Sequence, residues 1–185
     1  MHHHPKRRLT GLGSAFLVLG MLIVPWAVPQ AVTQAADIPT TTVAAGQVET
    51  LPTGKGKEVT FEAPANWQRL ARTAKNSVTY TQGKSAVTVT VAEGVKDRQT
   101  AFDRTVRARS LKGLLFHLER QTFTTKNDFE GTHCSISTSD TRKQGNCAMI
   151  TKDETLVVVS SLSESGHDPL DINSLIISLA LKEAK

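Results

Sequence analysis

Short stretches of this chain alternate between apolar and polar residues with period two, and two others repeat near period four. From residue 57, Val59 and Phe61 alternate with Glu58, Thr60 and Glu62 until Pro64 stops the run, which predicts a strand. Trp67 follows and reads as a lid on the core. Residues 77 to 81 and 85 to 93 flank Gln82-Gly83-Lys84, a short connection suited to a hairpin. Val87, Val89 and Val91 share one face and Thr88 and Thr90 the other, as in a half-buried sheet with the valines inward. Residues 132 to 139, 146 to 151 and 155 to 162 predict a three-strand meander. Leu156, Val157, Val158 and Val159 are continuous enough for a central strand covered on both faces.

Between residues 97 and 111 the period lengthens, with Phe102 and Val106 four apart and Ala101, Thr105 and Ala108 beside them, so an amphipathic helix ending near Gly113 is expected. Residues 114 to 124 are compatible with a strand or a helical extension. At the end of the chain Asp168 suits a helix cap, Pro169 the first helical position and Asp171 the positive end of the dipole. Ile172, Leu175, Ile176 and Leu179 follow at helical spacing, widened by Ile177 and Leu181, which predicts a second helix docked on the sheet. The fold class expected is therefore α+β: an antiparallel sheet of about six strands with two main helices packed on it, preceded by an N-terminal signal or anchor helix.

That leading helix rests on a separate pattern. Residues 1 to 8 are polar and basic, and residues 9 to 28 then run for 20 positions without a charge. Twenty helical residues reach about 30 Å, the thickness of a bilayer's hydrocarbon core, so a cleaved export signal and a retained span both fit. Ala31, Ala35 and Ala36 lie at signal-peptidase distance, though Thr33 and Ala35 make a mediocre cleavage pair. In either case Lys6, Arg7 and Arg8 stay on the cytoplasmic side and the remainder is placed outside, secreted or held as a single-pass membrane protein. The division expected is 1–36 signal or anchor, 37–56 flexible linker rich in Thr, Ala, Gly and Pro, and 57–185 a single domain.

The formal charge of +5 invites a nucleic-acid partner. Three of the 22 basic residues belong to the leader, however, leaving 19 against 17 acidic groups, a net +2 that exerts little long-range pull on a polyanion. No nucleic-acid partner is expected. Leu51-Pro52-Thr53-Gly54 is one residue short of a sortase signal, and Gly54-Lys55-Gly56-Lys57 lacks the spacing and hydroxyl of a phosphate loop.

Cys134 and Cys147 fall on adjacent strands of the expected meander, where a connection centred near Asp140 and Thr141 sets them opposite each other. An isolated even pair outside the cytoplasm reads as a disulfide. The competing readings are a metal site using Cys134, Cys147, His133 and His167, or a reactive thiol. Adjacent strand residues such as His133 and Cys134 point to opposite faces, which disfavours a shared ion. Neither cysteine stands in a thiol-enzyme motif. Ser161, His167 and Asp168 supply the residue types of a hydrolase triad, but no Gly-x-Ser-x-Gly elbow occurs. His117 reads as a half-buried structural histidine. No catalytic, cofactor or metal residues are assigned. Arg104, Arg107 and Lys112, with Arg98 and Arg109 nearby, give the middle helix a basic surface suited to anionic lipid, wall polymer or an acidic partner, interrupted by Asp97 and Asp103.

The run Val59-Thr60-Phe61-Glu62-Ala63-Pro64-Ala65-Asn66-Trp67 and the closing Asp168-Pro169-Leu170 segment resemble the PsbP-like fold, in particular the LpqN-type secreted proteins of actinobacteria, over about residues 57 to 183. The lipid-bearing cysteine of that family's lipoproteins is absent here. The resemblance implies an antiparallel sheet with helices on its faces and a noncatalytic binding or accessory role. The function expected is thus that of a cell-envelope protein without enzymatic activity, partnered by a protein, a lipid or a wall component. An envelope hydrolase or transferase is the alternative.

Overall fold

The computed structural model describes residues 39–54, 56–71 and 74–184. The expected signal or anchor segment lies outside the described residues. No described helix is long and apolar enough to cross a membrane.

Eleven strands and two short helices make up the described chain: β1 (Thr40–Thr42), β2 (Val48–Pro52), β3 (Lys57–Glu62), β4 (Gln68–Leu70), β5 (Ser77–Gln82), β6 (Ser85–Glu93), α1 (Arg98–Ser110), β7 (Leu114–Thr124), β8 (Glu130–Thr138), β9 (Lys143–Lys152), β10 (Thr155–Glu164), α2 (Asn173–Ser178) and β11 (Ala180–Glu183). Eight strands form one antiparallel sheet in the order β1-β4-β5-β6-β10-β9-β8-β7, and three form a second in the order β11-β3-β2. This corrects the α+β expectation of six strands and two main helices: the domain is mostly β.

The large sheet is the middle layer. One of its faces carries Val87, Val89, Val91, Val157, Val159, Ala148 and Ile150, which pack with Leu51, Val59 and Phe61 of the small sheet and with Leu175 and Ile176 of α2. The opposite face carries Leu156, Val158, Met149 and Ile136, covered by Phe102 of α1 with Ala101 and Val106 beside it. Consecutive residues of β10 therefore enter two different cores, which explains the unbroken apolar run at 156 to 159. Trp67 is buried in the first core.

Two local corrections account for three of the five extra strands, β1, β2 and β11; the others are β4 and β7. The segment read as a linker supplies β1, paired with β4, and β2, paired with β3. In β2 the inward positions are Glu49 and Leu51, so one of the two is a carboxylate and the apolar alternation is hidden. Glu49 is tolerated inside because Arg69 of β4 grips it with two hydrogen bonds, Nε to Oε2 at 2.6 Å and Nη2 to Oε1 at 3.1 Å, and Tyr80 of β5 donates to Oε2 at 3.2 Å. The second correction concerns the terminal helix, which is only six residues long. Asp168 does not cap it, Ile177 is 55% exposed, and from Ala180 the chain pairs with β3 as β11. An inner strand needs neighbours on both edges, and satisfying β3's free backbone groups outweighs continuing a helix.

The helix expected between residues 97 and 111 is present as α1. Asp97 caps α1, its Oδ1 accepting from the Thr100 backbone at 2.7 Å, and these Thr100 hydrogen bonds hold its carboxyl below the usual range. Gly113, at φ 78°, follows the helix end in a conformation suited to glycine. Residues 114 to 124 resolve as a strand.

Candidate functional site

The meander positions the candidate site. β7, β8, β9 and β10 pair in register so that His117, Ser135, Asn146 and Ser161 stand in one row, each directly opposite the next. The neighbouring row on the same face is Leu115, Ser137, Gln144 and Ser163. Six of these eight side chains are hydroxyls or amides, joined by His117 and Leu115, on the face that further along the same strands carries the apolar core. A cleft of about 850 Å³ lies over the β7, β8 and β9 members of these rows, with Phe116 and Ile136 also lining it, and the turn Gly166 to Pro169 forms its other wall. Among the described residues Asp168 is the only carboxylate lining it, and no lysine or arginine does.

Two polar atoms in these rows are buried without a hydrogen-bond partner: Oδ1 of Asn146, which lines the cleft, and Oγ of Ser161, which lies behind it. They belong to directly paired residues. A buried polar atom left unpaired costs about 1–3 kcal/mol, so such atoms mark places completed by water or a ligand. Ser163 by contrast is satisfied through Ser85, Oγ to Oγ at 2.7 Å.

The structure thus gathers the residues of the hydrolase alternative at one end of the sheet without assembling a triad. His167 and Asp168 line the cleft and are exposed, whereas Ser161 is fully buried and no base accepts from its hydroxyl. A nucleophile needs both a base within reach and access to substrate. His117 lines the cleft from an exposed position rather than sitting half-buried. Its role, and that of Ser135 and Asn146, is absent from sequence reasoning because only strand register places them together.

Cys134 and Cys147 are directly paired and bonded, with Cα atoms 4.9 Å apart, and both are buried beneath α1. The thiolates that the metal and nucleophile readings require are therefore consumed. His133 instead stacks on Phe123, ring centroids 4.5 Å apart.

The arginines around α1 divide. Arg98 pairs with Glu130 at 3.0 Å. Arg109 turns inward to donate to Thr90 at 3.2 Å, and burial lowers its pKa. Arg104, Arg107 and Lys112 are exposed.

No protein-family model matches this chain, and no curated protein does. Among solved structures it is similar to cyanobacterial PsbP (CyanoP) from Synechocystis sp. PCC 6803, at 14% identity and a TM-score of 0.42, over 72% of this chain and 88% of that one. It is also similar to a protein from Bacteroides thetaiotaomicron at 9% identity and a TM-score of 0.40, over 76% of this chain and 49% of the other, so it spans about half that protein's length. Likenesses this low say nothing about function, and no LpqN-type protein is among them.

Proposed function

We propose that this domain is a non-enzymatic binding module displayed outside the cytoplasm in a cell envelope, and that the cleft above β7, β8 and β9 receives an uncharged, hydrogen-bonding ligand or partner segment. The observation that carries the reading is the unpaired Asn146 Oδ1 in a floor of neutral polar side chains. A ligand that donates a hydrogen bond there replaces a missing partner, and a cleft without lysine or arginine offers no counter-charge to a phosphate or carboxylate. The envelope location is supported by the charge-free run at 9 to 28 and by the disulfide, since such bonds persist in oxidising compartments. Kinship with secreted actinobacterial LpqN-type proteins belongs to the same proposal and is supported by the segment from Val59 to Trp67.

Site-specific photo-cross-linking in envelope preparations tests the reading. A photoreactive residue replacing Leu115, at the cleft and 49% exposed, should capture an adduct that the same residue at Ile177, 55% exposed and outside the cleft, does not. Asn146→Leu should abolish that adduct. Identical labelling from both positions, or none from position 115, overturns the proposal.

A further inference from the structure

We propose that the outer face of α1 and the turn after it form a docking surface for an anionic lipid bilayer, adjoining the cleft at the edge residues Phe116 and His117. Arg104, Arg107, Ala108 and Leu111 follow at i, i+3, i+4 and i+7, so they share one face, and Lys112 comes next. All five are exposed, while Phe102 on the opposite side is buried against the sheet. Among the described residues no ion pair engages the three cations. Asp103 is the carboxylate set against them on the helix, and its Oδ1 accepts from Gln99.

What selects lipid over a soluble polyanion is Leu111. It is 85% exposed, more than any other large apolar side chain among the described residues. A leucine among cations contributes nothing to binding a wall polyphosphate. At a bilayer surface the cations meet lipid phosphates while the apolar side chain enters the headgroup boundary. Beside it, a groove of about 410 Å³ runs between α1 and the edge strand β7, lined by Arg107, Asp103 and His117 with Val106, Phe116 and Leu118, so its one carboxylate is set against the Arg107 cation. That groove offers a headgroup a seat with a cation at its rim. The sequence also favours proximity: ten residues, 29 to 38, follow the charge-free run before the first described residue, at most about 36 Å of chain.

The test uses the full chain reconstituted in nanodiscs of phosphatidylcholine alone or with one-third phosphatidylglycerol, read by hydrogen–deuterium exchange. Amides of the last turns of α1 and of residues 111 to 113 should exchange more slowly on the anionic discs. Each cation near an anionic surface is worth about five-fold, so the combined Arg104→Gln, Arg107→Gln, Lys112→Gln variant should lose about 100-fold in docking and with it the protection. Leu111→Ser should weaken it further than a neutral change predicts. Unchanged exchange in β6 and β10 certifies that the variants are folded. Equal exchange on the two discs, or protection that survives the triple variant, overturns the proposal. So does equal protection by soluble polyphosphate in the wild-type chain and in Leu111→Ser, which assigns the surface to a soluble polyanion.

Discussion

Removing the Glu49 carboxylate should be among the most damaging single changes in the domain. Glu49 lies on the small sheet and Arg69 on the large one, so their bidentate pair ties the two layers together. An exposed ion pair contributes about 0–1 kcal/mol, and Lys84–Glu164, with side chains 59% and 40% exposed, is of that kind. Glu49 and Arg69 are 8% and 23% exposed. Breaking a buried pair by deleting one partner costs about 3–5 kcal/mol, because the other charge is left poorly solvated. Arg69 keeps some contact with water, which places Glu49→Ala at the lower end, about 3 kcal/mol. For a domain of this size each kcal/mol moves the melting temperature by about 3 °C, so the expected fall is about 10 °C. Circular-dichroism melts of the full chain, wild type against variant, measure it.

Replacing both partners by apolar residues, Glu49→Leu with Arg69→Met, removes the desolvated charge along with its counter-charge, so the double variant should melt well above Glu49→Ala. Molar salt should shift the wild-type contribution little, since a shielded pair is weakly screened. A loss below about 1 kcal/mol for Glu49→Ala, the value of a surface pair, refutes the reasoning.

The remaining expectations concern the meander. Cys134→Ser with Cys147→Ser should cost about 3 kcal/mol in the chain-entropy model for a loop closed by cysteines 13 residues apart, read by denaturant unfolding; recovery of two alkylatable thiols from unreduced, denatured protein contradicts the pairing. Gly145→Ala should cost about 2–3 kcal/mol by thermal melting, because a Cβ there falls on the Ser161 carbonyl oxygen of the central strand; a variant as stable as wild type shows that β9 and β10 are not so closely apposed. The hydroxyl of Thr138 and the guanidinium of Arg142 hold the Asp140 carboxyl down to about 2, against an ordinary 3.8. A depressed pKa contributes stability above the unfolded value, lost as pH falls, so Asp140→Asn should flatten the pH dependence of unfolding between about pH 4 and 2 and leave it unchanged at neutrality.

How far the fold was legible depends on where each side chain finds its partner. Val87 to Val91 and Leu156 to Val159 declare their faces through their apolar pattern alone, and Gly113 marks the end of α1 by local backbone chemistry, whereas the Asp97 cap at its start was not read from the sequence. The cysteine pairing was legible because its strands are consecutive. The small sheet was not. Its β2 hides an inward Glu49 that is explicable only through Arg69, twenty residues away, and β11 is a strand only because β3 has an edge to fill. Ile172, Leu175 and Ile176 do occupy one buried helical face, but the period changes at Leu179, buried, and Leu181, half-buried, two residues apart as a strand requires.

The candidate site pushes the same argument to its limit. His117, Ser135, Asn146 and Ser161 carry no motif, and no sequence spacing relates them; their row exists because four antiparallel strands share a register. Register is in turn fixed by the other side of the sheet, where Cys134–Cys147, Ile136, Met149 and Val158 pack under α1. A slip of one residue between β8 and β9 would carry Asn146's partners to the opposite face and bring polar groups into that core. The packing that specifies the apolar side therefore also specifies the polar floor, so substitutions beneath α1 that loosen β8 against β9 should alter the cleft even though they never touch it.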